Sequence, residues 1–355
     1  MAEAPERDSL IADVLGRARD AVCEALTQLL HELRETGYGP LYEQLADYPF
    51  REGKGLRPAI CFAACRAMGG LDHQAVASAA ALELFHNGAL LHDDIEDVSE
   101  FRRGRDTLFR KHGVPVAINV GDATNVLSLS LLLRNLEILG VRKALQILRE
   151  VERMSRESVE GQAIELDWIR QQTFDLDDQD YVRMAYKKTC WYTVIAPLRI
   201  GVICGSPPGP GAPLEEELTG LIELGALAGI AFQIHDDLLN LEADEGLYGK
   251  EISGDLFEGK RTVMLLHFVR TAPRPVRERA LRLLRRPRHR KTPQAIAWLH
   301  AAMREHGSIE HGRALAADYS RRALDLEGRA LAFMPDTEDR RFLREMLRYV
   351  IDRLK

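Results

Sequence analysis

Two acidic clusters, each closing an apolar stretch of helical period, constrain this chain most. Asp93-Asp94-Ile95-Glu96-Asp97 follows residues 79–91, and Asp236-Asp237-Leu238-Leu239-Asn240 follows residues 221–234. On a helix Asp93 and Asp97 share a face, as do Asp236 and Asn240. Like charges at that spacing repel by about 0.2–0.5 kcal/mol, and apolar walls add a desolvation cost. A chain that does this twice is expected to neutralise its carboxylates with cations. Oxygen donors with no cysteine nearby suit a hard ion. Mg²⁺ takes one or two carboxylates and completes its shell with water and phosphate oxygens. The clusters therefore point to a Mg²⁺–diphosphate site between two helices.

Helical period runs through the rest of the chain. Residues 10–36 read as an amphipathic helix, and residues 127–139 repeat Leu at helical spacing. Residues 342–354 carry an apolar face behind Asp336 or Thr337 as N-cap. Alternating runs are scarce. Residues 192–204 resemble a strand, but Pro197 inside them argues for a helix bent or interrupted there. The breaks at 206–213 and 246–259 do not read as interdomain linkers, and no short repeat occurs. The expectation is an all-α fold, one domain over 1–355, with the acidic clusters facing each other across a cavity.

An apolar content of 46% supplies a large core. A net charge of −6 argues against nucleic acid as a partner. The basic stretch 270–291 reads as a solvated helix and loop. The 5 Cys are odd in number, form no C-x-x-C, and place Cys61 and Cys65 one helical turn apart among apolar residues. They read as buried thiols in a reducing compartment. No signal-peptide core is visible, and no run approaches about 18 uninterrupted apolar residues. A cytoplasmic protein with no integral membrane segment is expected.

Cations alternate with the acids. Gly53-Lys54-Gly55-Leu56-Arg57-Pro58 precedes the first cluster and Arg102-Arg103-Gly104 follows it. Lys188-Thr189 lies midway, and Gly249-Lys250 and Gly259-Lys260-Arg261-Thr262 follow the second cluster. Arg suits bidentate phosphate contacts and Lys acts as a point charge. Together with ELFHNGALLHDDIED at 83–97 and FQIHDD at 232–237, this order resembles the trans-isoprenyl diphosphate synthase (polyprenyl synthetase) family, from about Gly53 to the end of the chain.

The resemblance implies the isoprenoid synthase fold, with helices around a deep central cavity, a homodimer, and Mg²⁺-dependent head-to-tail prenyl transfer. By the same resemblance, Asp93, Asp94, Asp97, Asp236 and Asp237, with Asn240, hold Mg²⁺ on an allylic diphosphate. Arg102, Lys188, Lys250 and Lys260 grip that diphosphate. Lys54, Arg57, His86 and Arg103 bind isopentenyl diphosphate, while Thr189 and Gln233 line the region where positive charge develops. His92 and His235 read as structural neighbours of the acids.

Two positions depart from the family pattern. Asn240 stands where many relatives carry Asp, and Asp106 where Pro is common. Gly88 and Ala89, one turn before Asp93, are small where bulky residues resemble farnesyl-forming enzymes. Phe85 lies about 12 Å deeper than Asp93 along a helix. Asn125, Leu127 and Leu131 of a neighbouring helix are further candidates for the floor. These features favour geranylgeranyl diphosphate, with a longer polyprenyl product as the alternative. A class I terpene cyclase and a non-catalytic subunit of a heteromeric synthase are the rival readings. DDLLN followed by GKEISGDLFEGKRT favours the synthase over the cyclase.

Overall fold

The computed structural model describes residues 4–51, 53–207, 215–242 and 253–351. Helix dominates among them, as the apolar period implied. In chain order come α1 (Ala4–Thr36), α2 (Gly39–Leu45), α3 (Leu56–Ala67), α4 (Asp72–Glu96), α5 (Leu108–His112), α6 (Val114–Ile138), α7 (Val141–Arg170) and α8 (Asp178–Ala185). They are followed by α9 (Ala196–Gly205), α10 (Glu215–Glu242), α11 (Gly254–Glu258), α12 (Val263–Thr271), α13 (Arg274–Leu284), α14 (Pro293–Glu305), α15 (Ser308–Ala330) and α16 (Glu338–Ile351). The expected cap of the last helix is present, since Thr337 Oγ1 accepts from the Arg340 N–H at 3.2 Å. A two-stranded antiparallel hairpin joins β1 (Phe101–Arg102) to β2 (Arg105–Asp106). Arg103 and Gly104 turn it with φ of 52° and 71°, the left-handed pair a tight hairpin needs.

The stretch around Pro197 resolves into two helices of different type. Tyr186–Ile195 is a π-helix, and α9 begins one residue before Pro197, whose missing N–H has no partner to lose in a first turn. The wider π turn carries Lys188 and Thr189.

The chain packs as two compact units, Met1–Ser155 with Tyr192–Gly225 and Leu326–Tyr349, and Arg156–Trp191 with Ala226–Asp325 and Val350–Lys355. In the first unit α4 packs on α6 and α3 on α9. Both contacts run through glycine. A Cβ on Gly205 would lie 2.0 Å from the Cys65 carbonyl oxygen, and one on Gly121 would lie 2.4 Å from His92 Nε2. His92 is thus wedged against α6, in keeping with a structural part. In the second unit α12 packs against α8, α13 and α14. The π-helix is gripped there by two glycines. A Cβ on Gly161 would lie 2.2 Å from the Lys188 nitrogen, and one on Gly229 2.7 Å from Cys190 Sγ.

Cys61, Cys65, Cys190 and Cys204 are buried free thiols and Cys23 is half-buried. In the basic stretch Arg274, Arg279, Arg282, Arg285 and Arg286 are exposed, but Lys291 is buried and donates to the Leu256 and Phe257 carbonyls at 3.2 and 2.7 Å. By length and composition α6 and α10 are each apolar enough to cross a membrane, with 44% and 61% of their most apolar windows buried in the protein. The exposed residues of α6 include an apolar stripe of Ile118, Val126, Leu129, Leu133 and Leu136.

Candidate active site

In the first unit the acidic cluster ends α4. Asp97 caps the helix, its N–H donating to the Asp93 carbonyl at 2.8 Å. Val98 follows at φ 53°, a strained conformation for a β-branched residue. Asp93 keeps 20% of its side chain exposed, while the Asp94 carboxylate keeps 1%. Both Asp94 oxygens are engaged: Oδ2 accepts from the Tyr48 hydroxyl at 2.5 Å and Oδ1 from Arg102 Nε at 2.9 Å and also from its Nη2. Arg102 Nη2 lies 3.8 Å from Asp93. The hairpin that carries Arg102 is held by buried Arg51, which donates to the Arg102 and Asp106 carbonyls, each at 2.8 Å. Asp106 contributes its backbone to that bond, while its exposed side chain lies 3.4 Å from Arg110.

Arg57, His86 and Arg103 come together in the same unit. The Arg57 guanidinium sits 4.5 Å over the Tyr192 ring and donates to Thr193 Oγ1 at 3.1 Å. His86 stacks on the same Tyr192 ring, with the ring centroids 5.8 Å apart. Burial, then the charges of Arg57, Arg103 and Arg102, hold the His86 imidazole well below its usual range, so it is neutral. Buried Arg57 Nε and His86 Nδ1 have no hydrogen-bond partner among the described residues. Such orphaned groups suit a polar ligand. Arg103 packs against Gly53, where a Cβ would lie 3.1 Å from its Nη1. Lys54 is exposed.

The chain-length candidates also lie in this unit. Phe85 meets Tyr192 edge-on at 6.2 Å. Gly88 is buried at the α4–α6 contact, where a Cβ would lie 2.8 Å from Asn125 Oδ1. Its smallness therefore has a packing cause as well. Ala89 is half-buried.

In the second unit Asp236 is half-buried and Asp237 is 7% exposed. Asp237 accepts from the Tyr181 hydroxyl at 2.7 Å and from Gln233 Nε2 at 2.8 Å. Gln233 Oε1 in turn accepts from Thr189 Oγ1 at 2.5 Å. Burial, then the charges of Asp255 and Asp236, push the Asp237 carboxyl well up. A bound cation would relieve that repulsion. Lys188 pairs with Glu165, and Lys260 with Glu258 at 3.2 Å and Asp255 at 3.8 Å. Asn240 Oδ1 accepts from the Asp255 N–H at 3.1 Å, which leaves its second lone pair for a metal or water. It thereby holds the turn that carries Asp255 and Lys260. His235 is buried. Lys250 lies outside the described residues.

The sequence reading missed Tyr48, Arg51, Tyr181, Tyr192 and Asp255. Only Asp255 had a local signal, as an acid inside the GKEISGDLFEGKRT segment. Among the described residues no group of three or more His, Cys, Asp or Glu is placed to hold a metal ion by itself. Carboxylate oxygens in pairs suit Mg²⁺, which takes one or two carboxylates and draws the rest of its shell from water and phosphate.

A helical fold with two aspartate pairs closing long helices, set among arginines and lysines, defines the class of isoprenoid synthases. A polyprenyl synthetase family profile matches residues 39–303, and the chain belongs to that family. It is a trans-prenyltransferase. Among similar proteins is a short chain isoprenyl diphosphate synthase of Methanothermobacter thermautotrophicus, 31% identical over 85% of this chain and 86% of that one. An octaprenyl diphosphate synthase of Escherichia coli is 34% identical over 61% and 62%. The geranylgeranyl pyrophosphate synthetase of Pyrococcus horikoshii superposes with a TM-score of 0.79 at 28% identity, covering 96% of this chain and 98% of that one. A polyprenyl synthase of Caulobacter crescentus, complexed with calcium and isoprenyl diphosphate, gives 0.78 at 28% identity over 97% and 98%.

Proposed function

We propose that this protein condenses isopentenyl diphosphate with an allylic diphosphate, head to tail, and that its product is geranylgeranyl diphosphate. The observation that carries the reading is the convergence of Arg57, His86 and Arg103, with two buried nitrogens awaiting partners, beside a separate carboxylate set. A cyclase acts on one diphosphate and has no use for a second cationic pocket. Both carboxylate pairs are intact, which speaks against a non-catalytic subunit.

Asp93, Asp94, Asp97, Asp236, Asp237 and Asn240 form the two proposed Mg²⁺-holding clusters, with the more open Asp93 and Asp236 foremost toward the metal, over a catalytic domain spanning 1–355. Bound Mg²⁺ supplies charge neutralisation for the departing diphosphate. Arg102, Lys188, Lys250 and Lys260 bind its oxygens, and Lys188 and Lys260 exchange their present glutamate partners for phosphate. Lys54, Arg57, Arg103 and neutral His86 orient the second diphosphate. Thr189 and Gln233 turn their oxygens toward the developing allylic cation, and electrostatics and positioning account for the rate. Small Ala89 supports a product longer than farnesyl, while the named relatives range from short chain to octaprenyl. The apolar stripe on α6 supports a homodimer, and the free thiols support a cytoplasmic setting.

The test is a product assay. Purified protein receives Mg²⁺, isopentenyl diphosphate and dimethylallyl, geranyl or farnesyl diphosphate, with products analysed before and after dephosphorylation. Geranylgeraniol appearing only after phosphatase is expected. A longer alcohol corrects the chain length, a hydrocarbon without phosphatase makes the protein a cyclase, and no product with any primer points to a missing subunit.

A further inference from the structure

The second aspartate of each pair meets a buried tyrosine. Tyr48, in the turn after α2, is 1% exposed and donates to Asp94, 46 residues further along the chain. Tyr181, on α8, is also 1% exposed and donates to Asp237, 56 residues further along. The other oxygen of each carboxylate accepts from a residue assigned to the chemistry, Arg102 for Asp94 and Gln233 for Asp237. Tyr48 is fixed further by the Leu108 N–H at 3.3 Å and by the Arg51 guanidinium 4.3 Å over its ring. The first aspartate of each pair is the more open one in both units.

We propose that Tyr48 and Tyr181 are positioning residues of the prenyl-transfer site. Each turns the second carboxylate of its pair inward, where it orients Arg102 or Gln233, and leaves Asp93 or Asp236 as the oxygen offered to the metal–diphosphate. The inference rests on the function proposed above. Two unrelated elements supply the same donor to the same position of two separate clusters, which ordinary core satisfaction does not require.

Tyr48→Phe and Tyr181→Phe keep ring volume and remove only the donor. The readouts on the full chain are the Mg²⁺ concentration for half-maximal prenyl transfer and calorimetric binding of inorganic pyrophosphate with Mg²⁺. Each variant is expected to raise the Mg²⁺ requirement and weaken pyrophosphate binding by about tenfold, as loss of a hydrogen bond to a charged group does. Excess Mg²⁺ should restore turnover in both, but not in Asp93→Ala. Folded variants with unchanged Mg²⁺ dependence and pyrophosphate binding overturn the proposal, and so does lower turnover at unchanged Mg²⁺ dependence. Should either Tyr variant fail to fold, Asp94→Asn and Asp237→Asn keep an acceptor for the tyrosine. They should raise the Mg²⁺ requirement less than Asp93→Asn and Asp236→Asn, and an equal rise sinks the idea. Wild-type protein that binds Mg²⁺ and pyrophosphate with these variant effects, yet makes no prenyl product, removes the transfer reading and leaves the tyrosines' role standing.

Discussion

At the scale of single residues, the carboxylates differ in how far they are exposed to solvent. Asp93 is partly exposed, whereas Asp47 and Asp94 are tied to named donors. Asp93→Ala is expected to lower turnover by about a hundred- to thousandfold, the cost of losing one preorganised electrostatic group. Circular dichroism and the melting temperature should stay near wild type, and near-normal turnover in the folded variant would contradict the assignment. Asp47 answers a different question. Burial raises its carboxyl, but bonds from Arg51 at 2.9 Å and Lys111 at 3.0 Å outweigh that and leave it below the usual range. A depressed carboxyl stabilises the fold above its unfolded value of about 3.9 and loses that contribution as pH falls through the folded value. Asp47→Asn should therefore melt a few degrees below wild type at pH 7. The gap should close as pH falls below about 4; a constant gap would mean that the charge is not what matters.

Helix contacts add constraints that no single residue reveals. The α3–α9 contact places Gly205 against the Cys65 backbone, which cannot rotate away as a side chain can. Gly205→Ala is expected to cost about 1–3 kcal/mol by overpacking. Gly220→Ala on α10 meets nothing within 4 Å and should be neutral or stabilise by about 0.4–1 kcal/mol. Denaturant melts of the two variants compare these directly; equal stabilities would deny the close approach. On α4, Ala89→Phe should shorten the prenyl product by one or more units, read from the dephosphorylated alcohols. An unchanged product would move the floor to another element.

For the whole molecule, the α6 stripe of Ile118, Val126, Leu129, Leu133 and Leu136 follows helical spacing yet faces outward. Leu129→Glu with Leu133→Glu should convert a dimer to monomer in sedimentation, and a monomeric wild type would dismiss the dimer. Much of this protein is legible in its sequence because the signals are local. Helical period, the i,i+4 acids of α4 and the Pro197 boundary act within a turn or two, so residue order alone determines them. The resemblance groups Lys54, Arg57, His86 and Arg103 at one diphosphate, and in the fold Arg57 and His86 share the Tyr192 ring. Other features need partners far away in sequence. Tyr48 reaches Asp94 across 46 residues, Tyr181 reaches Asp237 across 56, and Arg57 reaches Thr193 across 136. The π-helix likewise had no period of its own to announce it, since Gly161 and Gly229 on other helices make room for it. The sequence by itself determined the helices, the aspartates and the family. Tertiary structure alone decided which aspartates are buried against a tyrosine and that Asn240 braces a turn, because a hydrogen bond between distant segments exists only once packing has brought donor and acceptor within reach and excluded water from both.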